Sequence, residues 1–164
     1  MDIGLNNKTR LFILYLIDKM AVPTKTGIIK MCYLCDIATV KSNLKKITDF
    51  QYVRYYYGPY DKRIEDYLDD LIKSGFVKSK LEYGSGGGEY AKFSLSEAGE
   101  KEIEDRQDVF SAGEKRITDS ILDSLGSLNA KMLTQIAYRT NPMVEFGATL
   151  GGSEHFNEVL DLSK

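Results

Sequence analysis

The chain has 164 residues, enough for one domain with a sizeable core. Its 43% apolar and 28% charged residues fit an ordinary globular protein, and its net charge of −2 argues against a whole-molecule nucleic-acid trap, which would be basic. The charge is uneven: residues 1–100 hold 15 Lys and Arg against 13 Asp and Glu, a net of +2, whereas residues 101–164 hold 7 against 11, a net of −4.

The N-terminus, "MDIGLNNKTR", shows no small-residue cleavage site behind an apolar run. The longest apolar run, "LFILYLI" from Leu11 to Ile17, is too short to span a bilayer, so a cytoplasmic protein without membrane contact is expected. Thr9 to Met20 is predicted as a helix apolar on most of its surface, hence central. Pro23 breaks it. Thr26 is predicted to cap a second helix, "GIIKMCYLCDIATV", with Ile28, Met31, Cys32 and Cys35 on one face.

A basic polar connection, "KSNLKKITD", leads into a predicted strand, "FQYVRYYY", and a turn at Gly58-Pro59. Ile64, Tyr67, Leu68, Leu71 and Ile72 then form one stripe of a 3.6-residue period, a third helix that Gly75 ends. "FVKSKLEY" and "YAKFSLS" read as two strands joined by the flexible tip "GSGGGE". Ser96 is predicted to cap a single charged helix, "EAGEKEIEDRQDVF". A last helical pair carries Ile117, Ile121, Leu122 and Leu125, then "LNAKMLTQIAYRT", with Pro142 as its stop. The expected fold class is mainly α with a small antiparallel β wing (α+β), a winged-helix-like helical domain over residues 1–142. Residues 143–164 form a C-terminal tail with a short amphipathic segment near Phe156, Val159 and Leu160.

Three segments, "IIKMCYLCDI" (28–37), "YVRYYYGPYDKRIEDYLDDLI" (52–72) and "LNAKMLTQIAYRTNP" (128–142), together resemble the Panacea family, the SocA-like antitoxin domain. That family shows a helix of the kind "KLLYLAD", then "Y…YGP" entering a helix, then a late "LSAWELSELTHxxxPW". Here the late Thr-His pair is Tyr138-Arg139 and tryptophan is absent. The resemblance implies a non-enzymatic regulatory protein, antitoxin- or adaptor-like, that works by protein–protein contact.

The stretch from Tyr52 to Tyr60 holds five tyrosines in nine residues. Strand alternation puts Val53, Tyr55 and Tyr57 on one face and Tyr52, Arg54 and Tyr56 on the other. One face must be core. The second would expose two aromatics flanking an arginine, a composition typical of interface hot spots; in the alternative, both faces are covered. The predicted partner-binding set is Tyr52, Arg54, Tyr56, Gly58, Pro59 and Tyr60.

"CYLC" (Cys32 to Cys35) has half-zinc or redox spacing but no second ligand pair, and His155, the sole histidine, is remote in sequence, so these are read as small core residues and no metal or cofactor is expected. "GSGGG" lacks the Lys-Ser/Thr of a phosphate loop. No nucleophile constellation assembles around His155. DNA binding is the alternative function. Its candidates are Lys62 and Arg63 at the third helix's start and Lys78, Lys80 and Lys92 in the wing, beside a basic cluster of Lys25, Lys30, Lys41, Lys45 and Lys46. The third helix is net −2 from Tyr60 to Gly75, the wrong sign to lie against phosphates, but its acidity suits a basic partner such as a toxin. Self-association is compatible with all of this.

Overall fold

The computed structural model describes residues 4–164. It is mainly α, with seven α-helices among the described residues and two small antiparallel sheets of two strands each. No helix among them is long and apolar enough to cross a membrane.

Helix α1 (Asn7–Lys19) begins two residues before the predicted start because Asn6 caps it, its side chain accepting the Thr9 amide at 2.9 Å. Leu11 through Ile17 are all buried, as the dense apolar run predicts. Helix α2 (Lys25–Lys41) is capped by Thr24 rather than Thr26. The Thr24 hydroxyl accepts the Gly27 amide at 3.1 Å, and a Cβ on residue 27 would sit 3.1 Å from that same oxygen and 3.4 Å from the Val22 carbonyl. Glycine thus lets the chain close tightly on the earlier threonine. Gly27 through Ile37 are buried all round, and α2 packs against α1, α5, α6 and the first hairpin.

The aromatic stretch is not one strand ending in a Gly-Pro turn. It is a hairpin of β1 (Val53–Tyr55) and β2 (Gly58–Tyr60), paired Val53 with Tyr60, Arg54 with Pro59 and Tyr55 with Gly58. Tyr56 and Tyr57 form the turn, and Gly58 (φ +95°) closes it in the left-handed region that suits glycine. Pro59, which lacks an N–H, is tolerated because β2 has no strand on its other side.

Asp61 then starts α3 (Arg63–Lys73), accepting the Arg63 amide at 3.0 Å and the Gln51 amide at 2.9 Å. Ile64, Tyr67, Leu68 and Leu71 face the core, while Ile72 stays partly exposed. Gly75 (φ +81°) ends α3 in a Schellman motif, with its N–H on the Ile72 carbonyl and the Phe76 N–H on the Leu71 carbonyl, both 3.0 Å.

The second hairpin, β3 (Val77–Tyr83) and β4 (Glu89–Leu95), runs in register from Val77–Leu95 to Tyr83–Glu89. Ser96 caps α4 (Glu97–Asp105) as predicted, but the charged helix stops early. A 3-10 turn at Gln107–Val109 brings Phe110 into the core, and a Ser111–Glu114 capping box opens α5 (Ala112–Leu125). Helix α6 (Ala130–Tyr138) follows an Asn129 cap. Pro142 does not act as a stop. It occupies the first turn of a short α7 (Asn141–Glu145), where a missing N–H costs nothing.

The tail then returns to the first hairpin. The Arg54 N–H donates to the Glu158 carbonyl (2.9 Å), and the Leu160 N–H to the Tyr52 carbonyl (2.9 Å), so residues 157–160 run antiparallel along the free edge of β1. Phe156 stacks on Tyr55, and Leu160 and Leu162 are buried.

Gly58 has a second constraint. A Cβ there would lie 3.2 Å from the Tyr138 ring. Gly58→Ala should therefore lower stability by about 1–3 kcal/mol, through the left-handed backbone and the ring contact together. Gly86→Ala, in the open β3–β4 tip with nothing within 4 Å, should change it by less than about 0.5 kcal/mol. Urea melts of the two variants compare them directly; equal losses would show that the tip glycines are structural.

Candidate partner-binding site

The first hairpin sits on a buried polar floor. Asp36, in α2, accepts the amides of Ile47 (2.8 Å) and Thr48 (3.2 Å), the Thr48 hydroxyl (2.5 Å) and the Tyr52 hydroxyl (2.7 Å). Burial raises its pKa, and these four donors pull in the opposite direction. The Tyr52 ring meets Tyr33 edge-on at 5.2 Å. Tyr33 in turn donates to the Thr140 hydroxyl (2.7 Å), whose own proton goes to the Ala137 carbonyl.

Tyr52 and Arg54 are therefore not exposed. They are 2% and 0% accessible, and the expectation of an open Tyr52/Arg54/Tyr56 face is corrected for these two. Tyr52 is drawn inward by Asp36. Arg54 is covered by the tail: its guanidinium donates to the carbonyls of Tyr55, Thr149 (2.8 Å) and Gly152 (2.9 Å), and lies 3.8 Å from the Glu154 carboxylate. It also stacks over Tyr138 at 5.7 Å.

The exposed aromatics are at the turn. Tyr56 is 59% and Tyr57 66% accessible. Beside Tyr57 lies a mostly apolar cleft of about 410 Å³, lined by Thr26, Ala130, Lys131, Thr134, Leu150 and Gly151. Tyr60 stacks on Tyr55 at 5.0 Å, its hydroxyl on Glu65 at 3.2 Å. Gly58 and Pro59 are buried beneath the tip and shape it. Alternation alone assigns Tyr57 to the opposite face from Tyr56; once a turn rather than a strand is recognised at these residues, both point outward.

Lys30 is the residue that sequence reasoning misplaces most. Counted in a basic surface cluster, it is 1% accessible, and its Nζ donates to the Pro59 carbonyl at 2.7 Å. No carboxylate pairs with it among the described residues. The rest of that cluster is also partly engaged: Lys25 pairs with Glu65 at 2.8 Å, and Lys46 donates to the Phe50 carbonyl.

Lys62 is exposed at the start of α3. Arg63 is bound by Asp61 (2.9 Å) and Asp49 (3.2 Å), and donates to the Asp49 carbonyl at 2.6 Å. Asp49 also takes the Tyr67 hydroxyl (2.7 Å) and the Thr9 hydroxyl (3.1 Å). Lys78 and Lys80 are exposed and Lys92 is half-buried; Lys80 and Lys92 are direct register partners, so all three share one face of the second hairpin. Cys32 and Cys35 are buried, and burial pushes both thiols up.

Burial holds the Lys30 pKa down to about 7, against an ordinary 10.5. The fold thus prefers the neutral amine, and the unfolded chain binds the extra proton. Stability should rise with pH between about 7 and 10 as that penalty fades. From pH 7 to pH 9, wild type should gain on the order of 2 kcal/mol relative to Lys30→Met, read from urea midpoints of both proteins. The raised thiols act oppositely in both proteins at the alkaline end, and the comparison cancels them. Parallel midpoint curves would show that Lys30 carries its charge unpenalised.

Residues 28–142, from the first turn of α2 to the first turn of α7, match the family described as antitoxin SocA-like, Panacea domain. No curated protein and no solved structure matches the chain. The matched region holds the hairpin, its polar floor and the α6 contact to Gly58; α1 and the tail lie outside it. On a match over most of its length, the chain belongs to the SocA-like antitoxin Panacea domain family.

Proposed function

We propose that this protein is a non-enzymatic antitoxin that neutralises a toxin by direct contact through the tip of the first hairpin. The observation that carries this is a pair of adjacent exposed tyrosines, Tyr56 and Tyr57, on a turn held rigid from below. Lys30 fixes Pro59, and Gly58 lies against Tyr138. Large aromatics on a rigid support bind with little loss of conformational entropy, and such residues anchor interfaces. The cleft at Tyr57 and Leu150 offers an adjoining apolar pocket. Tyr52, Arg54, Gly58, Pro59 and Tyr60 act by positioning this tip. On α3, Asp66 and Asp69 are exposed, and they favour a toxin that is basic where it meets this helix.

DNA binding through Lys62, Lys78, Lys80 and Lys92 has one supporting observation, the shared face of the wing lysines. Against it stand the acidic α3 and the engagement of Arg63 by two carboxylates.

The product of the adjacent gene is the first toxin to test. Its induction alone should arrest growth, and co-expression of this chain should restore it. Tyr56→Ala and Tyr57→Ala should each weaken the complex by about 1–2 kcal/mol, roughly tenfold, in calorimetry. Lys78→Glu with Lys80→Glu should leave it unchanged. A salt-sensitive shift of an upstream DNA fragment, indifferent to the tyrosine variants and abolished by the lysine reversals, would replace this reading with the second.

A further inference from the structure

The edge of β1 is completed by a segment outside the matched family region. Residues 157–160 take the place of a third strand, held by the Arg54–Glu158, Asn157–Arg54 and Leu160–Tyr52 main-chain bonds. Two non-glycine residues at and just before the start of this segment, His155 (φ +57°) and Asn157 (φ +65°), are in the left-handed region. Val159, the residue opposite Val53, is 52% accessible. The tail therefore grips the edge by backbone and by few side chains: Phe156 on Tyr55 and Tyr56, Glu154 near Arg54, and Leu160 and Leu162 in the core.

Arg54 ties the tail to this edge. Two of its three carbonyl partners and its carboxylate neighbour come from this tail, and its Nε lacks a partner among the described residues. The tail both covers and satisfies the guanidinium. If the tail leaves, Arg54 becomes hydrated rather than stranded in the core, so release does not incur the cost of a buried unpaired charge. A strand that returned carbonyls and a carboxylate to the same place would restore every contact.

We propose that the β1 edge with Arg54 is a strand-docking site for an extended segment of a partner protein, and that the chain's own tail is its resident competitor. The occupant is a peptide whose end lies extended along β1 after a turn, carrying in the turn a carboxylate two residues before an aromatic and, in the extended part, an aliphatic residue four after it, the pattern of Glu154, Phe156 and Leu160. The proposal deepens the partner-binding reading by naming a second element of the same hairpin. Its test uses no toxin, so either can fail alone.

The probe is a fluorescent synthetic peptide of residues 152–164, titrated by anisotropy into three full-length chains: wild type, a weakened-tail variant (Glu154→Lys with Phe156→Ala) and a locked variant (Val53→Cys with Val159→Cys). Val53 and Val159 are a pair without mutual hydrogen bonds, about 4.5 Å apart at Cα, close enough for a cross-strand disulfide. The weakened chain should bind the peptide at least about tenfold more tightly than wild type. The locked chain should bind none when oxidised and match wild type when reduced. Peptide binding that ignores the lock, or no binding to the weakened chain, overturns the proposal. Hydrogen exchange on the wild type stands independently of how the variants fold. The amides of Arg54, Asn157 and Leu160 should open together while α1 and α2 stay protected. If they exchange only with global unfolding, or if ultracentrifugation shows a tail-exchanged dimer, the partner-strand reading is wrong.

Discussion

Two basic side chains end inside this protein, and both end on main-chain carbonyls. Lys30 reaches up from α2 to Pro59, and Arg54 reaches across from β1 to Tyr55, Thr149 and Gly152. A buried amine or guanidinium donor without an acceptor is costly, so each side chain fixes the backbone that supplies its acceptors. Lys30 thereby sets the height of β2 above the central helix. Arg54 sets the path of the tail over β1. The three-residue strands could not hold the hairpin in place by themselves, since an isolated two-stranded hairpin is marginal in water. The hairpin is held in place by the contacts of β2 with the core and of β1 with the tail.

The three sequence segments that carry the family resemblance meet at this point. The first supplies Asp36, Tyr33 and Lys30. The second supplies Tyr52, Gly58 and Pro59. The third supplies Tyr138 and Thr140. They touch through Asp36–Tyr52 at 2.7 Å, Lys30–Pro59 at 2.7 Å, Tyr33–Thr140 at 2.7 Å and the close approach of Gly58 to the Tyr138 ring. Segments scattered along the chain thus build one object, a supported aromatic turn. The polar connection of residues 42–52, which has no helix or strand, is organised by the same logic: Asp36 takes the Ile47 and Thr48 amides, the Thr9 hydroxyl takes the Asp49 amide and Asp61 takes the Gln51 amide, so these backbone donors are satisfied without a ladder.

What the sequence made legible was local. The apolar run of α1, the stripe of α3, Gly75, the glycine-rich second hairpin and the Ser96 cap each follow from period or turn chemistry within a few residues. What it hid depended on competition or on distance. Thr24 and Thr26 are equal as caps until Gly27 decides between them. Ser96 to Phe110 reads as one helix until the Ser111–Glu114 box, itself an ordinary signal, outcompetes its last turn. Pro142 means stop or start depending on which side the helix lies. Lys30 looks like a surface lysine because its acceptor is a carbonyl 29 residues away. Arg54 looks exposed because nothing near it in sequence announces that Thr149 and Gly152 will cover it.

That last case bears on mechanism. A tail on the same chain competes with any external strand at an effective concentration on the order of millimolar. A partner that used the β1 edge would therefore have to bind it well beyond what a short extended peptide offers alone. The exposed Tyr56 and Tyr57 lie at the end of the same hairpin and are available before the tail moves. Phe156 couples the two places, since its ring touches both Tyr55 in the strand and Tyr56 in the turn. A partner that engages the turn and shifts Tyr56 removes one of the tail's few side-chain holds. Contact at the tip and release of the edge then favour each other, and a partner able to engage only the edge is discriminated against by the tail that remains in place.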